Sequence, residues 1–350
     1  MLIKYFSLII LFLTSCVTSQ PNYSSWEINK DNWVAKDKKI ESPTIAAGFL
    51  GASNATSDWG LKKSTTSEPK FIVESDIDVN IPKTNFKNMD AIAIIIGNKD
   101  YQSKDIPSVD FANRDADIVK KYVIATFGFK EENIIYELNA TKTKLEAIFG
   151  KHENYKGKLY NHLKRGKSDI FIYYSGHGAP DVNDKRPYIV PSDADPQALA
   201  LTGYPLQQLY DNIASISKDK QVRNIYIVID ACFSGATEKG FLIKNVSPIF
   251  IEVENPLLKS SNAVILTSSS GTEVSSWYPE KGHSMFTYFF LKAIKDNAEK
   301  GTSTIYANDV FKYVADESDG VPYYAGRLHG RKQTPQIMGD KNRILFSKQR

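Results

Sequence analysis

The chain contains very few cysteines, and this scarcity excludes one class of protein at the outset. Among its 350 residues only two are cysteine, Cys16 and Cys232, too few for the disulfide framework of a small secreted domain. If Cys16 is modified during export, Cys232 has no intramolecular disulfide partner. An exported free thiol is open to oxidation, so its retention indicates a chemical role. The alternative is that Cys232 is a small apolar residue of the core.

The charges also lack any one-sided block. The 44 basic and 40 acidic residues leave a net charge of +4, and they form no basic run typical of a nucleic-acid groove. We therefore expect no nucleic-acid partner. Histidine and cysteine show no metal-ligand spacing, so no zinc site is predicted. An apolar fraction of 42% over this length predicts one large globular domain.

The N-terminus has the features of an export signal. Lys4 supplies a positive charge, Tyr5 to Leu13 is apolar, and Leu13-Thr-Ser-Cys16 follows at once. The apolar run is too short to cross a bilayer of ~30 Å as a helix. The tetrapeptide resembles the bacterial lipobox, which implies a signal peptide at residues 1–15, lipidation of Cys16 and a lipid-anchored protein on a membrane of the bacterial cell envelope. The alternative is a buried N-terminal strand.

Residues 16–85 differ in composition from the rest of the chain. They are rich in Ser, Thr, Asn and Lys and show no sustained period of 2 or 3.6, so they are predicted to form a low-complexity tether. Trp26, Trp33 and Trp59 are unusual in a linker, and they indicate that parts of the tether dock on the domain or on a neighbouring surface.

Apolar runs alternate with helical patterns through residues 86–345, the predicted domain. A parallel strand buried on both faces has a continuous apolar run. Strands that alternate with helices predict an α/β fold with a mostly parallel sheet covered by helices on both faces. The predicted strands are residues 90–97, 133–139, 168–175, 222–230 and 263–268. The predicted helices are residues 110–126, 141–163, 205–215, 283–297 and 305–316.

Two of these strands run into small-residue turns that carry reactive side chains. Ser175-Gly-His177-Gly178 follows one strand, and Asp230-Ala-Cys232-Phe-Ser-Gly235 includes the end of another. Because α/β sheets have their sites at the carboxyl ends of the strands, we expect His177 and Cys232 to lie together. A thiol is activated by a neighbouring imidazole.

The two motifs resemble those of the caspase/metacaspase family of cysteine peptidases, in which caspases have Q-A-C-x-G and a histidine about 50 residues upstream. The resemblance implies a caspase-like three-layer sandwich and an endopeptidase that acts on protein or peptide substrates. It also implies a catalytic dyad of His177 and Cys232, with the N–H groups of Gly178 and Cys232 as the oxyanion hole. Glycine at position 178 lets the main chain approach a reacting carbonyl. The competing histidines, in surface, loop or core-helix contexts, are His152, His162, His283 and His329.

The residues around the dyad resemble metacaspases more than caspases. Asp230 stands where caspases have Gln, and metacaspases, which cleave after Arg or Lys, have Asp there. Asp115 matches the second aspartate of the metacaspase pocket for basic residues, and Ser175 matches a pocket serine. Helical geometry independently places Asp115 about 60° from the centre of an apolar stripe, leaning toward the protein.

Structural roles are the alternatives for both aspartates. Asp115 also suits the first turn of a helix, and Asp230 also suits the capping of a loop. Arg114, adjacent to Asp115 in sequence, is positioned to neutralise it.

No cofactor is predicted, although many metacaspases bind calcium. The candidate oxygen ligands follow the histidine strand without a D-x-D-G-type loop; they are Asp181, Asp184, Asp193 and Asp195. Lys239 and Lys244 are candidate self-cleavage sites. Two functional alternatives remain: a catalytically idle caspase-like module for binding or signalling, and an acyl-transferring enzyme (a transpeptidase) that shares the acyl-enzyme. The oligomeric state is not predicted.

Overall fold

The computed structural model describes residues 73–181, 185–237, 239–241, 255–259 and 262–347, which all belong to one unit of the chain. The predicted signal peptide, Cys16, the three tether tryptophans, Asp184 and Lys244 lie outside the described residues. Among the helices that are described, none has the length and apolarity needed to cross a membrane.

Helices and short strands alternate along the described residues. The strands are β1 Ile92–Gly97, β2 Ile134–Leu138, β3 Ile170–Ser175, β4 Gly178–Pro180, β5 Pro187–Ile189, β6 Tyr204–Pro205, β7 Ile225–Asp230, β8 Ala236–Thr237, β9 Gly240–Phe241, β10 Ala263–Thr267, β11 Trp277–Tyr278, β12 His283–Ser284, β13 Thr304–Tyr306, β14 Gln336–Gly339 and β15 Ile344–Ser347. The helices are α1 Ala112–Ala125, α2 Lys142–Phe149, α3 Lys158–His162, α4 Leu199–Thr202, α5 Leu206–Lys220, α6 Met285–Glu299, α7 Ala307–Val314 and α8 Val321–His329.

The main sheet has six strands in the order β14-β10-β7-β3-β1-β2. Five of them are parallel, and only the edge strand β14 is antiparallel to its neighbour β10. In the register of this sheet, Ser175 of β3 lies between Gly97 of β1 and Asp230 of β7. The carboxyl ends of the three central strands therefore lie side by side, and the predicted mostly parallel sheet is confirmed.

Helices cover both faces of this sheet, because its strands are apolar on both sides. Ala93 and Ile95 of β1 pack in one cluster with α1, α6, α7 and α8. The alternate residues Ile92, Ile94 and Ile96 pack in another cluster with α2, α3 and α5. This alternation is the period of two expected of a strand. The predicted three-layer α/β sandwich is confirmed.

Two differences from the predicted helices have local causes. The helix expected over residues 141–163 is two helices, because Gly150 ends α2 with φ of 92° and a Cβ there would lie 2.5 Å from the Asn154 carbonyl oxygen. A side chain is disfavoured in that conformation, so the helix stops. Helix α5 continues past residue 215 to Lys220 and ends at Gln221, whose φ is 51°.

The helix α1 starts in close contact with the end of β1. A Cβ on Gly97 would lie 2.6 Å from the Ala112 carbonyl oxygen, so only glycine permits this approach. The contact brings the first turn of α1, which carries Asp115, to the edge of the sheet where β3 and β7 end.

Part of the predicted tether packs against the domain. The side chain of Ile77 is fully buried, and the Thr84 N–H donates to the Ala125 carbonyl at 3.1 Å. The sequence boundary at residue 85 stays a prediction.

Candidate active site

A cleft lies at the carboxyl ends of β3 and β7. His177, Cys232 and Asp230 line it together with Ser284 and the indole of Trp277. It holds about 410 Å³ of empty space, part of which is open to solvent. The two strand ends are joined there, because the Gly176 N–H donates to the Asp230 carbonyl at 3.3 Å.

The imidazole of His177 is buried and fixed from two sides. Its Nε2 lies 2.7 Å from the Pro107 carbonyl oxygen, and a carbonyl only accepts, so Nε2 carries the proton. The ring of Tyr101 lies 5.0 Å from the imidazole, centroid to centroid, and the Tyr101 hydroxyl accepts the His177 N–H at 2.9 Å. Burial lowers the pKa of His177 to about 4, opposed by the Pro107 hydrogen bond and assisted by the charge of Lys239. The ring is therefore neutral at pH 7, with Nδ1 able to accept a proton.

The Cys232 side chain is partly exposed and forms no disulfide within the described residues. The backbone N–H of Ser275 donates to its sulfur. Gly178 lies against the same turn, since a Cβ there would be 2.9 Å from the Cys232 carbonyl oxygen and 2.6 Å from the Phe233 ring. The predicted oxyanion donors thus belong to touching segments, while their role stays a prediction.

The carboxylate of Asp230 is buried beside the cysteine. It accepts the Ser275 hydroxyl at 2.9 Å and the Thr287 hydroxyl at 2.6 Å. Burial and, after it, the nearby charge of Asp115 raise the pKa of Asp230 to about 6, against the opposing effect of its hydrogen bonds. The residue therefore both accepts local hydrogen bonds, as the capping alternative requires, and lines the cleft.

Asp115 is fully buried, as the helical geometry predicted. Its Oδ1 lies 2.6 Å from His283 Nδ1. Its Oδ2 accepts the Ser284 N–H at 3.1 Å and also the Ser284 hydroxyl. Ser284 lines the cleft, so Asp115 supports the cleft wall from behind.

The charged partner of Asp115 is not Arg114, the residue that the sequence indicated. Arg114 bonds to the carboxylate of Asp78, at 2.5 Å, and His283 is the cation that contacts Asp115. Sequence reasoning assigned His283 only to the start of a core helix. The buried position expected for Asp115 was the one signal that a cation should be sought nearby.

Ser175 lies at the end of β3 opposite Asp230 and is 1% exposed. Its hydroxyl lies beside that of Tyr173 but makes no hydrogen bond of ordinary geometry within the described residues. Ser175 is therefore a buried polar group that neighbours Asp230 in the sheet but is not one of the residues that line the cleft, and its role as a pocket residue stays a prediction.

The other histidines lie in other settings. His152 and His162 are exposed, whereas Nε2 of His329 contacts the Trp277 carbonyl at 2.7 Å. His329 belongs to α8, a helix that the sequence pattern did not predict.

The rim of the cleft carries a lysine that lies close to an aromatic ring. Lys239 Nζ is 2.6 Å from both the Ser108 hydroxyl and an Asp110 carboxylate oxygen. It also lies 5.2 Å from the centroid of the Trp277 ring. In this arrangement the predicted self-cleavage residue Lys239 is bound at the rim.

The described acids of the calcium prediction bind backbone N–H groups. Asp181 accepts from Ala200 at 3.0 Å, Asp193 from Lys142 at 2.8 Å and Asp195 from Gln197 at 2.9 Å. In the part of the chain that the structure describes, no three His, Cys, Asp or Glu side chains are grouped to hold a metal ion. Asp184 lies outside that part, and the calcium prediction stays untested.

Comparison with known proteins identifies the family. A family model described as "Caspase domain" matches residues 90–346, which is most of the chain. The chain therefore belongs to the caspase-domain family of cysteine peptidases.

Solved structures similar to this chain include two caspase structures. Caspase-1 from Spodoptera frugiperda has 16% identity and a TM-score of 0.49, and the match covers 77% of this chain and 95% of that one. For pro-Sf-caspase-1 the identity is 14% and the TM-score 0.45, with coverage of 76% and 95%. No curated protein matches the chain.

Proposed function

We propose that this chain is a cysteine endopeptidase with a His177–Cys232 dyad, and that it cleaves peptide bonds after Arg or Lys. One observation carries the proposal: His177, Cys232 and the buried carboxylate of Asp230 line the same cleft. A nucleophile, a base and a group that selects a cation are thus available to one substrate.

The proposed reaction follows from the orientation of the imidazole. Because Nε2 donates to the Pro107 carbonyl, Nδ1 accepts the thiol proton as the sulfur attacks the substrate carbonyl carbon. The imidazolium then gives that proton to the departing amine, which leaves an acyl-enzyme at Cys232. Water, deprotonated by the same nitrogen, hydrolyses the thioester and restores the thiol. The N–H groups of Gly178 and Cys232 are the proposed donors to the oxyanion.

The proposed preference for a basic residue rests on buried negative charge. Asp230 is 4% exposed and Asp115 is 0% exposed, so a carboxylate here lacks the solvation that offsets its charge. A guanidinium or ammonium group entering the cleft would restore a partner to Asp230, whereas a substrate carboxylate would be repelled. Arginine should exceed lysine, since its planar fork can engage Asp230 and a neighbouring hydroxyl together.

The location of the protein belongs to the same proposal. We propose that the mature chain begins at a lipidated Cys16, and that residues following it connect the peptidase domain to a membrane of the cell envelope. Protein or peptide substrates would then be those that reach that membrane surface.

The test is a panel of fluorogenic peptides that differ only in the residue before the cut, assayed with the full chain in detergent. Faster turnover of Arg and Lys peptides than of Asp, Asn or Leu peptides supports the proposal. No turnover of any peptide, together with unreactive Cys232, would support an idle module. An added acceptor amine, followed by mass spectrometry, distinguishes hydrolysis from peptide transfer, and a chelator tests for calcium dependence.

A further inference from the structure

The segment that precedes the family match lies on the domain. The match begins at residue 90, and residues 73–79, here called the strap, lie upstream of it. The Tyr122 hydroxyl of α1 donates to the Ile77 carbonyl at 3.1 Å. Lys295 of α6 donates to the carbonyls of Asp76 and Val79 at 2.7 and 2.6 Å. The strap is therefore bound by hydrogen bonds to both α1 and α6.

One strap carboxylate reaches the inside of the domain. Asp78 Oδ1 lies 3.0 Å from His283 Nε2, and the other nitrogen of that ring, Nδ1, lies 2.6 Å from Asp115 Oδ1. Each nitrogen of a fully buried imidazole thus faces a carboxylate oxygen, which accepts a hydrogen bond. Both nitrogens can donate only if the ring is an imidazolium. Arg114 completes the series by bonding to the second oxygen of Asp78.

The four side chains alternate in charge from the surface toward the cleft. Arg114 and Asp78 form the outer pair, and His283 and Asp115 form the inner pair. The inner pair ends at Ser284, whose N–H and hydroxyl both donate to Asp115. Since Ser284 lines the cleft, the strap has a continuous polar connection to the wall of the proposed substrate pocket.

The imidazolium also changes the charge that the pocket presents. Asp115 raises the pKa of Asp230 through the repulsion of two buried carboxylates. A positive charge on His283 offsets that of Asp115, so Asp230 can ionise and accept a substrate cation. Without it, two unpaired carboxylates would share a buried site, which favours protonation of one of them.

We infer that Asp78 is a positioning residue for the pocket: it keeps His283 charged, and His283 in turn fixes Asp115 and Ser284 and leaves Asp230 free to bind a basic side chain. This inference rests on the proposed function, and it adds a determinant from outside the family match. Asp78 acts through His283 and does not itself line the cleft.

The effect of pH follows from the groups around His283. Burial lowers the pKa of His283, but its hydrogen bonds to Asp115 and Asp78, and their charges, raise it to about 9. Arg114 faces the same site from α1, through Asp78, and Lys281, on the same stretch of chain as His283, pairs instead with Asp76 at 3.3 Å. Asp230 of β7 acts on the His283 site only through its charge interaction with Asp115. Replacing Asp78 by Asn removes one of the two carboxylates, so the pKa of His283 falls and the ring loses its proton at lower pH.

The test compares Asp78→Asn with Asp76→Asn in the full chain. Asp76 is a matched control, because it lies on the same strap and pairs with Lys281 and Tyr288 but has no hydrogen bond or ion pair with His283. For a peptide with Arg before the cut, we expect Asp78→Asn to raise KM at least about twofold at pH 8, with a smaller change in kcat, because a fall of one unit in the pKa of His283 leaves only about half of the rings charged there. The loss should grow as pH rises from 7 to 9, and Asp78→Glu should restore part of it. Equal KM and equal pH profiles for the two Asn variants would overturn the inference.

A second measurement separates this inference from the proposed function. In a Cys232→Ala background, NMR titration follows His283 without any turnover. The inference is supported if His283 titrates near pH 9 in the Cys232→Ala parent and its pKa falls by at least one unit with Asp78→Asn but by less with Asp76→Asn, even if no Arg peptide is cleaved. The inference is overturned if His283 titrates near pH 6.5 in the parent and in both Asn variants, even if Arg peptides are cleaved. Melting temperatures of the two variants show whether loss of the strap contact has simply destabilised the domain.

Discussion

The Nε2 of His177 donates to the Pro107 carbonyl across 2.7 Å, and this bond leaves Nδ1 as the ring nitrogen that can accept a proton. A peptide carbonyl orients the ring but carries no full negative charge, so it opposes the effect of burial only weakly. The pKa of His177 accordingly falls to about 4 despite the bond. A neutral imidazole and the Cys232 sulfur, which accepts the Ser275 N–H, therefore line the same cleft.

The first prediction concerns the dyad. Cys232→Ala should abolish peptidase activity, because the sulfur forms the covalent bond and the substitution removes little volume. His177→Ala should lower kcat on the order of 10³-fold or more, since members of a catalytic unit fail together. Turnover is measured with the best basic peptide, and circular dichroism serves as the control for folding. Wild-type turnover by Cys232→Ala would contradict the assignment of the nucleophile.

The second prediction concerns Asp230 and the charge of the substrate. Asp230→Asn should lower kcat/KM for an Arg peptide on the order of 100-fold, because a charge-assisted contact contributes about 1.5–3 kcal/mol. The rate at which iodoacetamide alkylates Cys232 should change much less. Asp211→Asn, an exposed acid on α5, is the matched control. Unchanged selectivity for Arg after Asp230→Asn would contradict the proposed pocket.

The third prediction is a pH profile that depends on the substrate. Asp230 must be ionised to attract a cation, and its pKa is raised to about 6, so kcat/KM for an Arg peptide should fall as pH drops through about 6. A peptide with neutral citrulline at the same position needs no such charge. For the citrulline peptide, kcat/KM should fall on the acid side only as His177 is protonated, because protonation removes the base; the pKa of His177 is lowered to about 4. A fall of kcat/KM at the same acid pH for the two peptides would contradict this assignment.

The strands that carry the dyad were predictable because burial on both faces produces continuous apolar sequence. Residues 168–175 and 222–230 contain β3 and β7 entire, and the turns that follow carry His177 and Cys232. The burial of Asp115 was predictable from the spacing of apolar residues in α1. These features are predicted by local signals, since the pattern of apolar residues close by in the sequence is enough to indicate each of them.

The supporting contacts were not predictable in this way. Pro107 orients His177 through a carbonyl, which every residue has, so no side chain marks it. His283 of β12 contacts Asp78 of the strap and Asp115 of α1 only after the chain folds. Gly150 interrupts a helical pattern because of a backbone angle that the periodicity of its neighbours does not express. The first two causes are tertiary contacts and the third is a local backbone angle, so the apolar pattern of a single sequence shows none of them.

The fourth prediction concerns Cys16, which lies outside the described residues. Cys16→Ser should leave the precursor unprocessed or release the chain from membranes, since a lipobox cysteine is the site of attachment and multiple acyl chains anchor stably. Membrane fractionation and mass spectrometry of the mature N-terminus measure this. Ser15→Ala, next to the cysteine, is the control and should leave fractionation unchanged. An unmodified Cys16 in the mature protein would contradict the lipid anchor.

The fifth prediction concerns Lys239, which lies over the rim of the cleft between Asp110 and the Trp277 ring. Lys239→Ala should lower KM for peptides about two- to fivefold, because a substrate no longer has to displace a partly exposed ion pair worth at most about 1 kcal/mol. For a citrulline peptide, Lys239→Ala should also raise the pH at which kcat/KM falls on the acid side, since the charge of Lys239 lowers the pKa of His177.

The variant Asp110→Asn separates the two effects, because it releases the lysine from the rim but keeps the positive charge. KM should then fall, while the acid-side pH of half-maximal kcat/KM stays lower than in Lys239→Ala. An unchanged KM in both variants would show that Lys239 does not obstruct the cleft. If the acid-side pH of half-maximal kcat/KM is unchanged in Lys239→Ala, the charge of Lys239 does not act on His177.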